Sequence, residues 1–259
     1  SYTLFTDVLP EYFEIKFSGG TDISTNKPVS ITFSTIRSKT NLEYINVSPM
    51  TTAVSYITKS KLDEQRNSSG ILDTTNVDSI IDDSRTKISS LFGISKLDID
   101  SDYIVNSNNV LAKNSIVMIT VVKNITKLLN LSCGVTLTEG EIYSTMSDQF
   151  NQISLFSFEN KTYVESIIYN LVSKFNLTLD SNCITNISEI VADIAYQICA
   201  FKDILGIVDI IEKATKYQLS SIDYVTSNAS YITSSSFNLV TARSIIQGNL
   251  NNYTLGTVT

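Results

Sequence analysis

The chain contains no histidine and no tryptophan, and each absence excludes a class of activity. Histidine is the most frequent general base and metal ligand, and it activates the nucleophile of serine and cysteine triads. Glycoside hydrolysis needs a carboxylate pair, and the acidic residues here lack aromatic neighbours that would stack on sugar rings. The GxSxG, P-loop and GxGxxG patterns are also missing. We therefore expect a protein that is not an enzyme and binds no cofactor.

Charge is scarce as well, at 17% of residues against about a quarter in typical domains. Serine, threonine and asparagine fill the difference, which predicts a surface rich in hydroxyl and amide groups. The formal net charge is -7, and lysine and arginine are scattered singly. Phosphate binding needs a basic face, so we expect no nucleic-acid partner. A polar, acidic surface suits an extracellular setting.

No stretch supplies the roughly 20 continuous apolar residues of a membrane span, so we expect no membrane insertion. Hydrophobic residues still make up 42% of 259 residues, enough for a sizeable core. The sequence starts at Ser1 without an initiator methionine, which predicts a mature or excised part of something longer.

Three cysteines, Cys133, Cys183 and Cys199, form no CxxC pair. Neither a disulfide framework nor a zinc site follows from this spacing. The favoured interpretation is three small buried thiols in helices. The alternative is a disulfide between Cys183 and Cys199 in an oxidising compartment.

Residues 1–47 carry the β signal. The segments "YFEIKF" and "VSITFSTI" alternate apolar and polar residues, which is typical of strands. Between them "SGGTDISTNKP" holds the residues that form turns, and Asp22 is interpreted as one of them rather than as a ligand. A small antiparallel sheet is predicted.

Residues 48–259 carry helical periodicity. Ser48 and Pro49 are typical of an N-cap and a first helical position. We expect Asp73 or Thr74 to cap a second helix that ends at Gly93. The clearest helix is predicted over about 106–130. Further apolar stripes cover 164–175, 187–205 and 207–250, with a break near 226–236.

Together these segments predict the α+β class: a small N-terminal antiparallel β-sheet (1–47) followed by a multi-helix bundle (48–259). The final "NYTLGTV" is a possible C-terminal strand.

The most concentrated acidic cluster is "LDIDSDYI", where Asp98, Asp100 and Asp102 would share one face of an extended segment. Three carboxylates suit Ca²⁺. An EF-hand would need glycine where Tyr103 stands and glutamate where Asn109 stands. A solvated loop whose last aspartate starts the next helix is therefore the favoured interpretation.

Asn-x-Ser/Thr sequons are numerous in a chain with this composition. They begin at Asn46, Asn67, Asn124, Asn130, Asn160, Asn176, Asn186, Asn228 and Asn252. Asn124 lies within the clearest predicted helix, so the sequons indicate composition more than glycosylation.

Five segments in order are similar to a module of very large bacterial surface and secreted proteins, which are adhesin-like. They are "SGGTDISTNKPVSITFSTI", "NVSPMTTAVSYI", "SLFGISKLDIDSD", "LAKNSIVMITVVKNITKLL" and "ARSIIQGNL". The sequence departs from that pattern at Met50, where leucine is usual, and in having no proline after the acidic loop. The resemblance implies a fold and a setting and carries no catalytic residue.

The favoured function is a non-enzymatic structural or adhesive module of an extracellular surface assembly, such as a cell-surface filament, matrix or adhesin. The alternatives are the outer structural protein of a virus particle and a carbohydrate- or polymer-binding domain. Copies of the chain, or neighbouring domains of one large protein, are the expected partners. We expect the first strand region to join them, because "YFEIKF" would place Phe13, Ile15 and Phe17 on one side. Deleting Ser1 to Pro10, or the last eight residues, is expected to abolish assembly.

Overall fold

The computed structural model of the protein describes residues 10–22, 27–40, 45–65, 76–201 and 206–256. Its strands are β1 (Tyr12–Phe17), β2 (Thr21–Asp22), β3 (Lys27–Pro28) and β4 (Phe33–Ser38). Its helices are α1 (Pro49–Glu64), α2 (Val77–Phe92), α3 (Asn109–Cys133), α4 (Glu139–Gln152), α5 (Lys161–Lys174), α6 (Ser181–Cys199), α7 (Ile207–Ile232) and α8 (Leu239–Gly248). Short 3₁₀ helices cover Asp98–Asp100 and Leu250–Asn252. The predicted α+β layout, a small sheet before a helical bundle, is confirmed.

The N-terminal sheet is a hairpin of β1 and β4 with a second small ladder in its connection. β1 and β4 pair antiparallel from Tyr12 opposite Ser38 to Phe17 opposite Phe33. β2 and β3 form the ladder between them. The chain leaves β1 through Gly19 and Gly20, whose φ angles of 74° and 86° lie in the left-handed region that glycine tolerates best.

Helix α1 begins at the predicted Ser48–Pro49 corner. The Ser48 side chain accepts the Thr51 N–H (3.2 Å), and the Ser48 N–H donates back to the Thr51 hydroxyl (2.8 Å). This is a capping box with threonine in the position where glutamate or glutamine is usual. Pro49 occupies the first helical turn, where its missing N–H costs nothing.

The same threonines bond β4. The Ser34 N–H donates to Thr52 Oγ1 (2.9 Å), and the Thr51 hydroxyl donates to the Ser34 carbonyl (3.0 Å). Both hydroxyls are buried with this stretch of β4. Two side chains of a helix thus supply the acceptor and the donor that a third strand would otherwise supply.

Helix α3 is the centre of the bundle and packs most extensively along α7, with further contacts to α6, α4 and α1. By length and composition α3 is apolar enough to cross a membrane, but 61% of its most apolar window is buried inside the protein, as in a core helix. A buried polar strip links it to α7: Asn124 donates to Ser221 Oγ (3.2 Å), and Gln218 donates to Thr120 Oγ1 (3.0 Å).

A smaller apolar cluster fastens the sheet to the bundle. It consists of Ile36 from β4, Leu62 from α1, and Val77, Ile80 and Ile81 from α2, with Tyr12 of β1 packed against it. Ile31, just before β4, belongs instead to the main core. The sheet therefore contacts the helices at two places, through Ile36 within β4 and through Ile31 just before it.

Several predicted boundaries shift because of capping. Helix α3 starts at Asn109 rather than near 106, since the Asn108 side chain accepts the Leu111 N–H (2.9 Å) and ends the preceding turn. Asp73 and Thr74, the predicted caps of α2, lie outside the described residues. The helix starts at Val77, and Asn76 makes no side-chain cap bond. It ends at Gly93, as predicted, with φ of 61°.

The predicted break near 226–236 is confirmed. Helix α7 bends at Asn228 (φ -126°, ψ 19°) and ends at Ile232, and α8 starts at Leu239. Residues 253–256 form no strand, and 257–259 of the possible C-terminal strand lie outside the described residues.

We expect Thr52→Val to lower the free energy of unfolding by about 1–3 kcal/mol, because the buried Ser34 N–H would lose its acceptor. The matched control is Thr126→Val. That buried hydroxyl only donates to the Val122 carbonyl within its own helix, so the cost should stay under about 1 kcal/mol. Urea unfolding measures both values. Equal losses in the two variants would contradict this role of Thr52.

Candidate functional site

The outer edge of β1 is the candidate site. The Lys39 N–H donates to the Glu11 carbonyl (3.0 Å), which sets the alternation of hydrogen-bonded pairs along the hairpin. In an antiparallel pair, every second residue turns its backbone groups away from the partner strand. Tyr12, Glu14 and Lys16 therefore direct their N–H and C=O groups outward. In the part of the chain that the structure describes, no other segment bonds this edge.

The two edges of the hairpin thus differ. On β4 the outward groups of Ser34 are bonded by Thr51 and Thr52. On β1, no segment among the described residues bonds the outward groups, and an apolar residue, Phe17, is 38% exposed at the end of the strand. An open strand edge with apolar side chains is a template for pairing with another chain.

Glu14 anchors the middle of this edge. Its carboxylate accepts from Lys59 of α1 (2.7 Å) and lies 3.2 Å from the Lys16 ammonium. Burial raises the pKa of the Glu14 carboxyl, but the hydrogen bonds and charges of Lys59 and Lys16 outweigh it, so the pKa lies below its usual range. Glu14 is ionised at neutral pH, and β1 carries one negative and one positive charge two residues apart.

The acidic loop does not have the geometry expected of an extended segment. Asp98 to Asp100 form a 3₁₀ helix, so the three carboxylates do not share one face. Asp98 accepts from the Asn108 amide (3.1 Å), and Asp102 accepts the backbone N–H groups of Ile104 (2.8 Å) and Val105. Among the described residues, no group of three cysteine or acidic side chains is placed to hold a metal ion.

Asp100 instead bridges two arginines. Arg37 of β4 and Arg85 of α2 each donate to one of its oxygens. The Arg37 side chain is only 3% exposed. Burial raises the pKa of Asp100, and the hydrogen bond and charge of Arg85 offset this only in part. The loop residue thus joins the hairpin to the second helix.

Two cavities open beside these elements. One of about 360 Å³ lies between the end of β4 and α2, lined by Arg37, Ser38, Thr40, Asp78, Ile81, Asp82 and Arg85. The buried Nε atoms of Arg37 and Arg85 find no hydrogen-bond partner there among the described residues. The other, of about 710 Å³, lies between the hairpin and helices α3 and α7.

The predicted alternative of a Cys183–Cys199 disulfide is wrong. The two residues stand near opposite ends of α6, and a rise of 1.5 Å per residue separates them by about 24 Å. A disulfide needs Cα atoms within about 7 Å. All three cysteines are free thiols. Cys183 donates to the Thr233 carbonyl (3.1 Å), and burial with the nearby Glu159 charge raises the pKa of Cys199 to about 12.

The remaining sequence candidates are structural where they are described. Asn124 is fully buried and bonded to α7, which excludes glycosylation of the folded chain at that sequon. Asp22 lies in β2, in the small ladder beside the glycine turn. Ser1 to residue 9, the first of the two termini expected to drive assembly, lies outside the described residues.

Sequence reasoning missed two ion pairs. One is the Arg37–Asp100–Arg85 bridge. The other joins Arg243 of α8 to the buried Asp193 of α6, where the Nε and one terminal nitrogen of the guanidinium each donate to one carboxylate oxygen. The sequence feature that could have revealed these pairs is a single charged residue within an otherwise uncharged strand or helix face, as in "STIRS". A buried charge is costly unless it is paired, so such a residue predicts an ion pair.

Comparisons with protein-family models, with curated proteins and with solved structures found no match. The resemblance to modules of bacterial surface proteins stays a prediction.

Replacing Asp100 by alanine should lower the free energy of unfolding by about 3 kcal/mol, because two largely buried guanidinium groups would lose their shared carboxylate. The control, Asp102→Ala in the same loop, removes only a turn-capping carboxylate and should cost about 1 kcal/mol. Thermal and urea unfolding of the two variants make the comparison. A cost for Asp100→Ala no greater than that for Asp102→Ala would show that the bridge contributes little.

Proposed function

We propose that this chain is a non-enzymatic structural or adhesive module of an extracellular surface assembly. In this proposal, the helical bundle is the folded body, and the open edge of β1 joins it to another copy or to a neighbouring module. Cell-surface filaments, matrices and adhesins are assemblies of this kind.

The observation that carries the proposal is the contrast between the two edges of the hairpin. On the β4 side, the outward N–H and C=O groups of Ser34 are bonded inside the protein by Thr52 and Thr51, and the other two outward residues, Ile36 and Ser38, are buried. Those of Tyr12, Glu14 and Lys16 face outward, and the described residues offer them no strand. Proteins that stay monomeric usually cover such edges, or disrupt them with proline, a bulge or a charged side chain such as lysine. β1 has no proline or bulge among its six residues, and the charge of its exposed Lys16 is paired with that of Glu14 on the same strand.

The structural roles of the polar residues in the sequence motifs support the proposal that the chain is not an enzyme. Ser48, Thr51 and Thr52 cap a helix and a strand edge. Asp100 is engaged by two arginines, and Asp102 by backbone N–H groups. Side chains that would have been candidates for chemistry are therefore engaged in holding the fold.

The test of assembly is Lys16→Pro compared with Lys16→Ala. Proline removes one outward N–H and no hairpin hydrogen bond, so it blocks a further strand while the edge strand tolerates it. Alanine leaves the backbone intact. We expect the native chain and Lys16→Ala to self-associate at high concentration in light scattering and negative-stain microscopy, and Lys16→Pro to be monomeric.

Circular dichroism and thermal unfolding must first show that Lys16→Pro keeps the native helical content. A native chain that stays strictly monomeric at millimolar concentration would contradict the proposal, as would normal assembly of folded Lys16→Pro. The shape of the assemblies distinguishes two settings. Filaments or sheets fit a cell surface, and closed shells fit the outer layer of a virus particle.

Carbohydrate binding is a second candidate, favoured by the 360 Å³ cavity beside β4. Its lining combines the donors of Arg37 and Arg85 with the acceptors of Asp78 and Asp82. Guanidinium and carboxylate groups of both signs around one cavity suit a ligand with many hydroxyls and no net charge better than an anion.

A glycan array with neutral and acidic sugars tests this candidate. Asp78→Asn should weaken any binding at least tenfold, because an amide cannot replace a carboxylate that accepts from two hydroxyls. Asp83→Asn, an exposed position on the same helix and outside the cavity, is the matched control. Absence of any glycan signal, or equal binding by both variants, would eliminate the candidate.

A further inference from the structure

The side chains along the open edge form an inverted repeat. From Phe13 to Phe17 the sequence is Phe-Glu-Ile-Lys-Phe, with Ile15 at its centre. Turning the strand end for end about Ile15 exchanges Phe13 with Phe17 and Glu14 with Lys16. The exchange matches aromatic with aromatic and acid with base.

We propose that β1 pairs with β1 of a second copy, antiparallel, around a two-fold axis through Ile15. The result is one continuous sheet in the order β4, β1, second-copy β1, second-copy β4. This inference rests on the proposed function and adds the identity of the partner and the register of the contact.

The backbone allows this register. The outward N–H and C=O groups of β1 belong to Tyr12, Glu14 and Lys16. A new ladder must therefore form its hydrogen-bonded pairs among these residues. With the axis at Ile15, Glu14 of one copy and Lys16 of the other form such a pair, twice by symmetry. Ile15 faces its own counterpart in a pair without hydrogen bonds, where side chains lie closest.

Charge selects this register over its neighbours. An axis at Glu14 would place the two Glu14 carboxylates opposite each other, and an axis at Lys16 would do the same with two ammonium groups. Like charges directly opposite destabilise a sheet. An axis at Phe13 would bring Lys16 opposite Pro10, which has no N–H to donate. The axis at Ile15 brings Glu14, which is ionised, next to the ammonium group of Lys16, whose side chain is 60% exposed.

The opposite side of the strand contributes apolar contact. Phe13 would lie across from Phe17 of the second copy, and Ile15 would lie between the two pairs. Aromatic pairs across strands add to sheet stability. Because each copy offers the same patch, this contact alone closes as a dimer, and filaments, sheets or shells would need a second contact surface on that dimer. A single strand pair buries a small area, below about 1,200 Å², so the dimer should be weak and dependent on concentration.

Cross-linking of the full chain tests the register directly. In a background with the three native cysteines replaced by alanine, Ile15→Cys should form a disulfide-linked dimer under mild oxidation. The Cα atoms of such a pair lie about 4.5 Å apart, within the reach of a disulfide. The control is Glu14→Cys, whose two copies would sit on a diagonal about 7–8 Å apart and should link at least tenfold more slowly.

Charge exchange is a second test that does not need a cysteine. Lys16→Glu should raise the dimer dissociation constant about 5- to 30-fold, because two like-charged pairs would replace two opposite ones. Adding Glu14→Lys to that variant restores opposite pairs across the contact. Because Glu14→Lys also removes the bond to Lys59 within each copy, the double exchange is compared with Glu14→Lys alone, which has the same loss and two like-charged pairs, and it should bind at least fivefold more tightly. Analytical ultracentrifugation measures the four constants.

The outcomes separate this inference from the proposed function. Fast linkage through Ile15→Cys, with rescue by the double exchange, supports the register. If the chain assembles and Lys16→Pro abolishes assembly, but Glu14→Cys links as fast as Ile15→Cys or the double exchange gives no rescue, the register is wrong and the proposed function stands. A native chain that never self-associates overturns both.

Discussion

The bonding of Ser34 on β4 by two adjacent threonine hydroxyls is the constraint on which the rest of the N-terminal half depends. Thr51 and Thr52 give Ser34 one donor and one acceptor, so no further strand can bond β4 at Ser34. The same two residues lie in the first turn of α1, which fixes the start of the helix against the strand. Since α1 also packs against α2, α3 and α4, the orientation of the hairpin relative to the bundle follows from this contact.

Buried polar groups perform a similar task in the helical half. Apolar stripes alone would let α3 and α7 slide past each other by a turn, because isoleucine and valine repeat along both. The Asn124–Ser221 and Gln218–Thr120 bonds occur at one register only. Likewise, Arg243 and Asp193 fix α8 on α6. An unpaired partner in such a buried place would cost more than the bond contributes, so these pairs select one packing of the bundle.

The strands, the Ser48–Pro49 corner and the long central helix could be predicted because each depends on a pattern within a few neighbouring residues. The bridge from Arg37 to Asp100 could not, because 63 residues separate its ends and their approach depends on how α2 packs on the hairpin. The disulfide alternative failed for a reason available in the sequence: the stripe beginning at Ile187 already placed Cys199 far along a helix. For the candidate site, the strand "YFEIKF" could be predicted from its alternating pattern. Which of its residues direct their backbone groups outward could not, because that depends on the register of its pairing with β4.

The pairing of α3 with α7 also constrains how the chain folds. Their polar contacts join residues 97 and 98 positions apart, so the central helix meets its main partner only after most of the chain exists. Contacts of such long range slow folding, since loop closure must precede the gain from burial. During synthesis, the apolar stripe of α3 is not covered by α7 until α7 leaves the ribosome. A chaperone that holds the unfinished chain would protect this stripe from aggregation in the interval.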